Sequence, residues 1–108
     1  MQRNEIRRRV DDVNEIIDRA ARACQSDASV PQELKQRIQE LDDKSGQAKQ
    51  MLLNEQNDTR IRDCIDDLEE LGDRTKQACE QSGNVNQEVR RAVMQAHSEL
   101  SSLKHQLH

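Results

Sequence analysis

The chain has 108 residues, 17 basic and 21 acidic, giving a formal net charge of -4, with no Trp, Tyr or Phe. That length allows one domain, and an acidic chain without stacking side chains is not built as a general nucleic-acid binder. The longest apolar run is three residues, so no segment spans a bilayer, no secretory h-region is visible, and the expected location is the cytoplasm.

The first predicted element covers residues 3–24. Its apolar stripe is Ile6, Val10, Val13, Ile17, Ala20 and Cys24, with steps of 4, 3, 4, 3 and 4. Such a 3.5-residue period marks helices that pack in left-handed, knobs-into-holes fashion. The segment opens on Arg3, Arg7, Arg8 and Arg9. Cations there oppose the helix macrodipole, which makes the cluster a candidate contact for an acidic partner or a phosphate. Farther along, Asp11, Asp12, Glu15 and Asp18 fall on outward positions. Asp11, Glu15 and Asp18 share a face that could present oxygens to a divalent cation. Helical spacing instead pairs Arg7 with Asp11, Arg8 with Asp12, Glu15 with Arg19 and Asp18 with Arg22, so the pattern reads as a solvated, ion-paired face.

Gln25 to Pro31 reads as a turn. Ser29 ahead of Gln32 has capping-box spacing, and Pro31 fits the first turn of the next helix. That second element, residues 31–54, carries Leu34, Ile38, Leu41, Ser45, Ala48 and Leu52 at the same steps. The connection Asn54 to Thr59 lacks Gly and Pro, but Asn57 and Asp58 can cap, and the nine-residue step from Leu52 to Ile61 breaks the register. A short turn is expected there, with one continuous helix as the rival reading. The third element, 59–80, places Ile61, Ile65, Leu68, Gly72, Thr75 and Cys79 on its stripe. A turn from Gln81 to Asn86 follows, with Asn84 ahead of Gln87 as a second capping box. The fourth element, 86–106, carries Val89, Val93, Ala96, Leu100, Leu103 and Leu107.

Shifting the chain by 55 residues aligns 6–53 with 61–108 without a gap, and 14 of the 48 pairs are identical. Cys24 falls on Cys79 and one turn falls on the other. We read a tandem duplication (repeat 1 about 6–53, repeat 2 about 61–108) in a single domain, 1–108. The expected fold is all-α: an antiparallel four-helix bundle of two duplicated αα-hairpins with heptad-type packing.

Catalytic and metal signatures are sparse. There is no Glu-x-x-His, His-Glu-x-x-His, Gly-rich phosphate loop or Cys-x-x-Cys, so neither an enzyme nor a cofactor is expected. Three cysteines do not make a secreted disulfide framework. Cys24 and Cys79 both lie on the stripe, where a free thiol behaves as a small hydrophobe. With His105 and His108 they are the candidates for an alternative reading as a metal- or thiol-redox-responsive bundle. The stretch Ala96-His97-Ser98-Glu99-Leu100-Ser101-Ser102 resembles the phosphoacceptor segment of histidine phosphotransfer domains. That resemblance implies a four-helix phosphotransfer module acting through His97, although Leu100 and Ser101 stand where such domains usually have Lys and Gly.

The core looks thin, with Ile, Leu and Val totalling 21 residues and Ser45, Gly72 and Thr75 interrupting the stripes. Ile16 and its repeat mate Leu71 lie beside the stripe, and Leu53, Met51 and Met94 near helix edges. The surplus would form an apolar patch, so a homodimer is expected. The function expected is that of a small non-catalytic interaction or scaffold protein with an unidentified protein partner, engaging neither nucleic acid nor membrane. Its candidate contact residues are Arg3, Arg7, Arg8, Arg9, Ile16 and Leu71.

Overall fold

Every apolar stripe read from the sequence becomes the inner face of a helix. The computed structural model describes residues 2–108, with α1 over Arg3–Gln25, α2 over Gln32–Leu52, α3 over Asp58–Gln81 and α4 over Gln87–Leu107. All stripe positions are buried except Leu107, which is half-buried. The result is an all-α four-helix bundle measuring 42 × 22 × 17 Å. Its helices form a ring of contacts, α1 on α2, α2 on α3, α3 on α4 and α4 on α1.

The long-helix rival for the middle connection fails. Helix α2 ends at Leu52, and Asn57 starts α3 by accepting hydrogen bonds from the backbone N–H groups of Thr59 (2.9 Å) and Arg60 (3.3 Å). An uncapped start would leave those donors unsatisfied.

The two capping boxes are corrected. The Ser29 hydroxyl donates to the Asp27 carboxylate, so it does not reach α2, and Pro31 sits at the N-cap just ahead of the helix rather than in its first turn, with no side-chain cap. In the other turn Asn86, not Asn84, accepts from the Glu88 N–H at 2.8 Å. Just beyond α3, Gly83 takes φ +71°, the left-handed conformation that ends helices and favours glycine. Asn86 then donates to Asp27 at 3.3 Å and ties the two turns together.

Contacts between helices run in a consistent order. Along α1, Asp11 meets Lys49 (2.8 Å) and Asn14 meets Ser45 (3.0 Å), so partners on α2 recede as α1 advances. On the other side Asp66 meets His108, Glu69 meets Lys104 and Asp73 meets His97. Shifted by 55 residues, the bounds of α2 coincide with those of α4, and the buried positions of α1 fall on buried positions of α3 except Ala21, which falls on the half-buried Lys76.

Candidate functional site

The basic cluster at the start of α1 divides into two parts. Arg9 turns inward: its guanidinium pairs with Glu99 and donates to Ser102 (3.1 Å) and Gln106 (3.2 Å) on α4, leaving its side chain 14% exposed. It is a clamp between helices, so the expectation of Arg9 as a free contact is corrected. Arg3 is also engaged, donating to the Gln56 carbonyl (2.7 Å) and lying 3.6 Å from Asp58. Those bonds fasten the start of α1 to the α2–α3 turn.

Arg7 and Arg8 are left over for a reason the structure makes plain. Asp11 and Asp12 stand one helical turn ahead, where intrahelical pairs were expected. Asp11 instead pairs across the groove with Lys49, while Arg7 donates to the Asn4 side chain at 3.0 Å. Neither Arg7 nor Arg8 meets a carboxylate within ion-pair reach among the described residues. The other two expected pairs form, Arg19 with Glu15 at 3.1 Å and Arg22 with Asp18 at 2.9 Å.

Beside these two cations stands Leu53, just past the end of α2. It is 54% exposed and is the sole exposed large hydrophobic side chain among the described residues. Asn4, Arg7, Arg8, Asp11, Lys49 and Leu53 enclose a shallow concavity of about 270 Å³. The wider apolar patch expected from the sequence is absent. Ile16 and Leu71 are half-buried and close on the core, as does Met51. A bundle helix that buries about three positions in seven absorbs such flanking residues.

The thiols and imidazoles of the alternative metal or redox reading lie at opposite ends of the bundle. Cys24 and Cys79 are buried where α1 and α3 end, and all three cysteines are free. Burial pushes the Cys24 and Cys79 thiols up, opposed by Lys35 near Cys24 and by Arg90 near Cys79. His105 is exposed at the far end, and His108 meets Asp66 at 2.8 Å. Among the described residues no three His, Cys, Asp or Glu side chains are grouped to hold a metal ion. His97 is not an open phosphoacceptor position, being 18% exposed and 3.4 Å from Asp73.

One concavity was not foreseen. Between α2 and α3, Ala48, Met51, Cys64 and Leu68 floor a groove of about 380 Å³ edged by Lys44, Arg60, Asp63 and Asp67. Burial, then the charge of Asp67, pushes the Cys64 thiol up to about 11. The position of Cys64 beside the stripe was the one signal of it in the sequence.

Among the described residues no helix is long and apolar enough to cross a membrane. Comparison of the chain with protein-family models, with curated proteins and with solved structures finds no match.

Proposed function

We propose that the protein is a small, non-catalytic helical interaction module of the cytosol, built from two duplicated αα-hairpins. Its docking surface is the corner formed by Arg7, Arg8 and Leu53. One observation carries this reading: the sole exposed large hydrophobic among the described residues stands beside two arginines that no carboxylate neutralises. An acidic protein segment bearing one apolar anchor complements both features. Leu53 supplies the desolvated contact and the guanidinium forks bind carboxylates in bidentate geometry.

Other occupants fit less well. A nucleic acid would meet a chain of net charge -4 without aromatic platforms. An anionic membrane surface would gain only about 1 kcal/mol per basic residue close to it. A second copy docking through the same corner would bring Arg7 and Arg8 against their own counterparts, and like charges oppose that.

Panning a random peptide library on the immobilised protein tests the proposal. Recovered peptides should be rich in Asp and Glu around a Leu, Ile or Phe. Binding should be lost in Leu53→Ser and in Arg7→Glu/Arg8→Glu, provided both variants keep the wild-type helicity and melting temperature. Peptides of no particular charge, or binding unchanged in both variants, would refute the corner as the docking surface.

A further inference from the structure

The groove between α2 and α3 lies at the counterpart of the Arg9 clamp between α1 and α4. Moved by 55 residues, Arg9 falls on Cys64, and its partners Glu99, Ser102 and Gln106 fall on Lys44, Gln47 and Met51. All four counterparts line the groove of about 380 Å³. The guanidinium that closes the α1–α4 seam by bonding all three partners has no equivalent in the α2–α3 seam. Next to Ser102, the fully buried Leu103 corresponds to Ala48, which offers the groove only a methyl group. Leu68 in place of Val13 returns a single carbon. The groove is therefore the room of two long side chains, filled in one seam and left open in the other.

We propose that this groove binds a small organic cation, its apolar body resting on Ala48, Met51, Cys64 and Leu68 and its ammonium group at Asp63 and Asp67.

The floor decides the size of the occupant. Its apolar residues cover a single turn of each helix, Ala48 to Met51 and Cys64 to Leu68. A docked partner helix needs anchors spread from i to i+7, so the floor suits a compact molecule. The volume falls in the range of small-molecule pockets, about 300–1,000 Å³. Cys64 is held as the neutral thiol by burial and by the charge of Asp67, so it presents a small apolar surface.

The rim decides the charge. Asp63 and Asp67 stand one helical turn apart on α3, where the first repeat has Arg8 and Asp12. Arg60 is held by Glu55 at 3.6 Å. Neither Asp63 nor Asp67 has a cation within ion-pair reach among the described residues. Two carboxylates on the α3 wall thus face the one ammonium of Lys44 on the α2 wall. A ligand ammonium meets both carboxylates, whereas a ligand carboxylate would meet Lys44 and be repelled by both.

Titration of the full chain with 4-phenylbutylamine, followed by carbon-13 methionine-methyl NMR, tests the site. The chain has three methionines, and the Met51 signal should shift while that of Met94, on α4, stays in place. The uncharged 4-phenylbutanol should bind about threefold to tenfold more weakly, for want of two exposed ion pairs. The anionic 4-phenylbutanoate should bind more weakly still. Asp63→Asn/Asp67→Asn, at exposed positions that leave the core intact, should bring the amine down to the affinity of the alcohol. Ala48→Leu rebuilds the Leu103 of the other seam and should abolish binding of all three molecules. Should Ala48→Leu fail to fold, the aspartate variant still decides the charge preference and the Met51 shift the location. A Met51 signal unmoved by the amine, a carboxylate bound as tightly as the amine, or full amine affinity in the aspartate variant would overturn the proposal. So would wild-type affinity in a folded Ala48→Leu.

Discussion

A thiol reacts as its thiolate, and in this bundle each cysteine is held in the protonated form. Desolvation is the leading cause at all three, and Asp67 adds to it at Cys64. Cys24 and Cys79 are also sealed from solvent. A disulfide-exchange reagent at pH 7.5 should therefore react slowly with the native protein and titrate three thiols once denaturant is added, without reductant. Fewer than three in denaturant, or rapid native modification of Cys24 or Cys79, would contradict the packing described. The residue scale is also where sequence spacing misleads most. Arg7 and Asp11 have ideal helical spacing, yet Asp11 pairs with Lys49, because spacing along one helix carries no information about the competing partner on the next. Ser29 lost its capping role for a similar reason, its hydroxyl being taken by Asp27 two residues away.

Helix pairs show why the apparent weak points of the stripes are not holes. A Cβ added to Gly72 would lie 3.1 Å from Leu100 Cδ1, so α3 approaches α4 closely and the leucine fills the space a side chain would need. At the positions 55 residues earlier stand Ile17 and Ser45, both fully buried. The second hairpin sets small against large, and the first has a large and a small residue at the corresponding buried positions. Ser45 meets the polar requirement of burial by donating to the Asp42 carbonyl and accepting from Asn14, each at 3.0 Å. Thr75 does so by donating to the Leu71 carbonyl at 2.7 Å. This complementarity has a measurable consequence. Gly72→Ile alone should cost about 1–3 kcal/mol by overpacking, and Leu100→Ser alone about 2–5 kcal/mol by leaving a cavity. The double variant restores the arrangement of the first hairpin and should be less destabilised than the sum of the two. Additive losses in urea melts would show that the two sites are not packed as a unit.

For the whole molecule, the helices were legible because a 3.5-residue stripe with turn chemistry between its runs admits few other structures. The stripes named the core nearly residue by residue, from Ile6 to Leu103. The site was less legible. Arg7 and Arg8 could be named from the sequence, but that Arg9 turns to Glu99, 90 residues away, and that Ile16 and Leu71 fold onto the core depend on the neighbours the tertiary fold supplies. Self-association was expected from the same surplus of apolar side chains. The bundle absorbs that surplus and leaves Leu53. A stable dimer buries about 1,200–2,000 Å² in total around a desolvated centre, and one leucine flanked by two arginines is a poor centre for a twofold contact between like charges. Sedimentation equilibrium at micromolar concentrations should therefore return a single species of 12.5 kDa. Its melting temperature should not depend on protein concentration, as expected where no second copy binds the native state by mass action. A melting temperature that climbs with concentration, and stops climbing in Leu53→Ser, would instead make this corner the surface on which two copies meet.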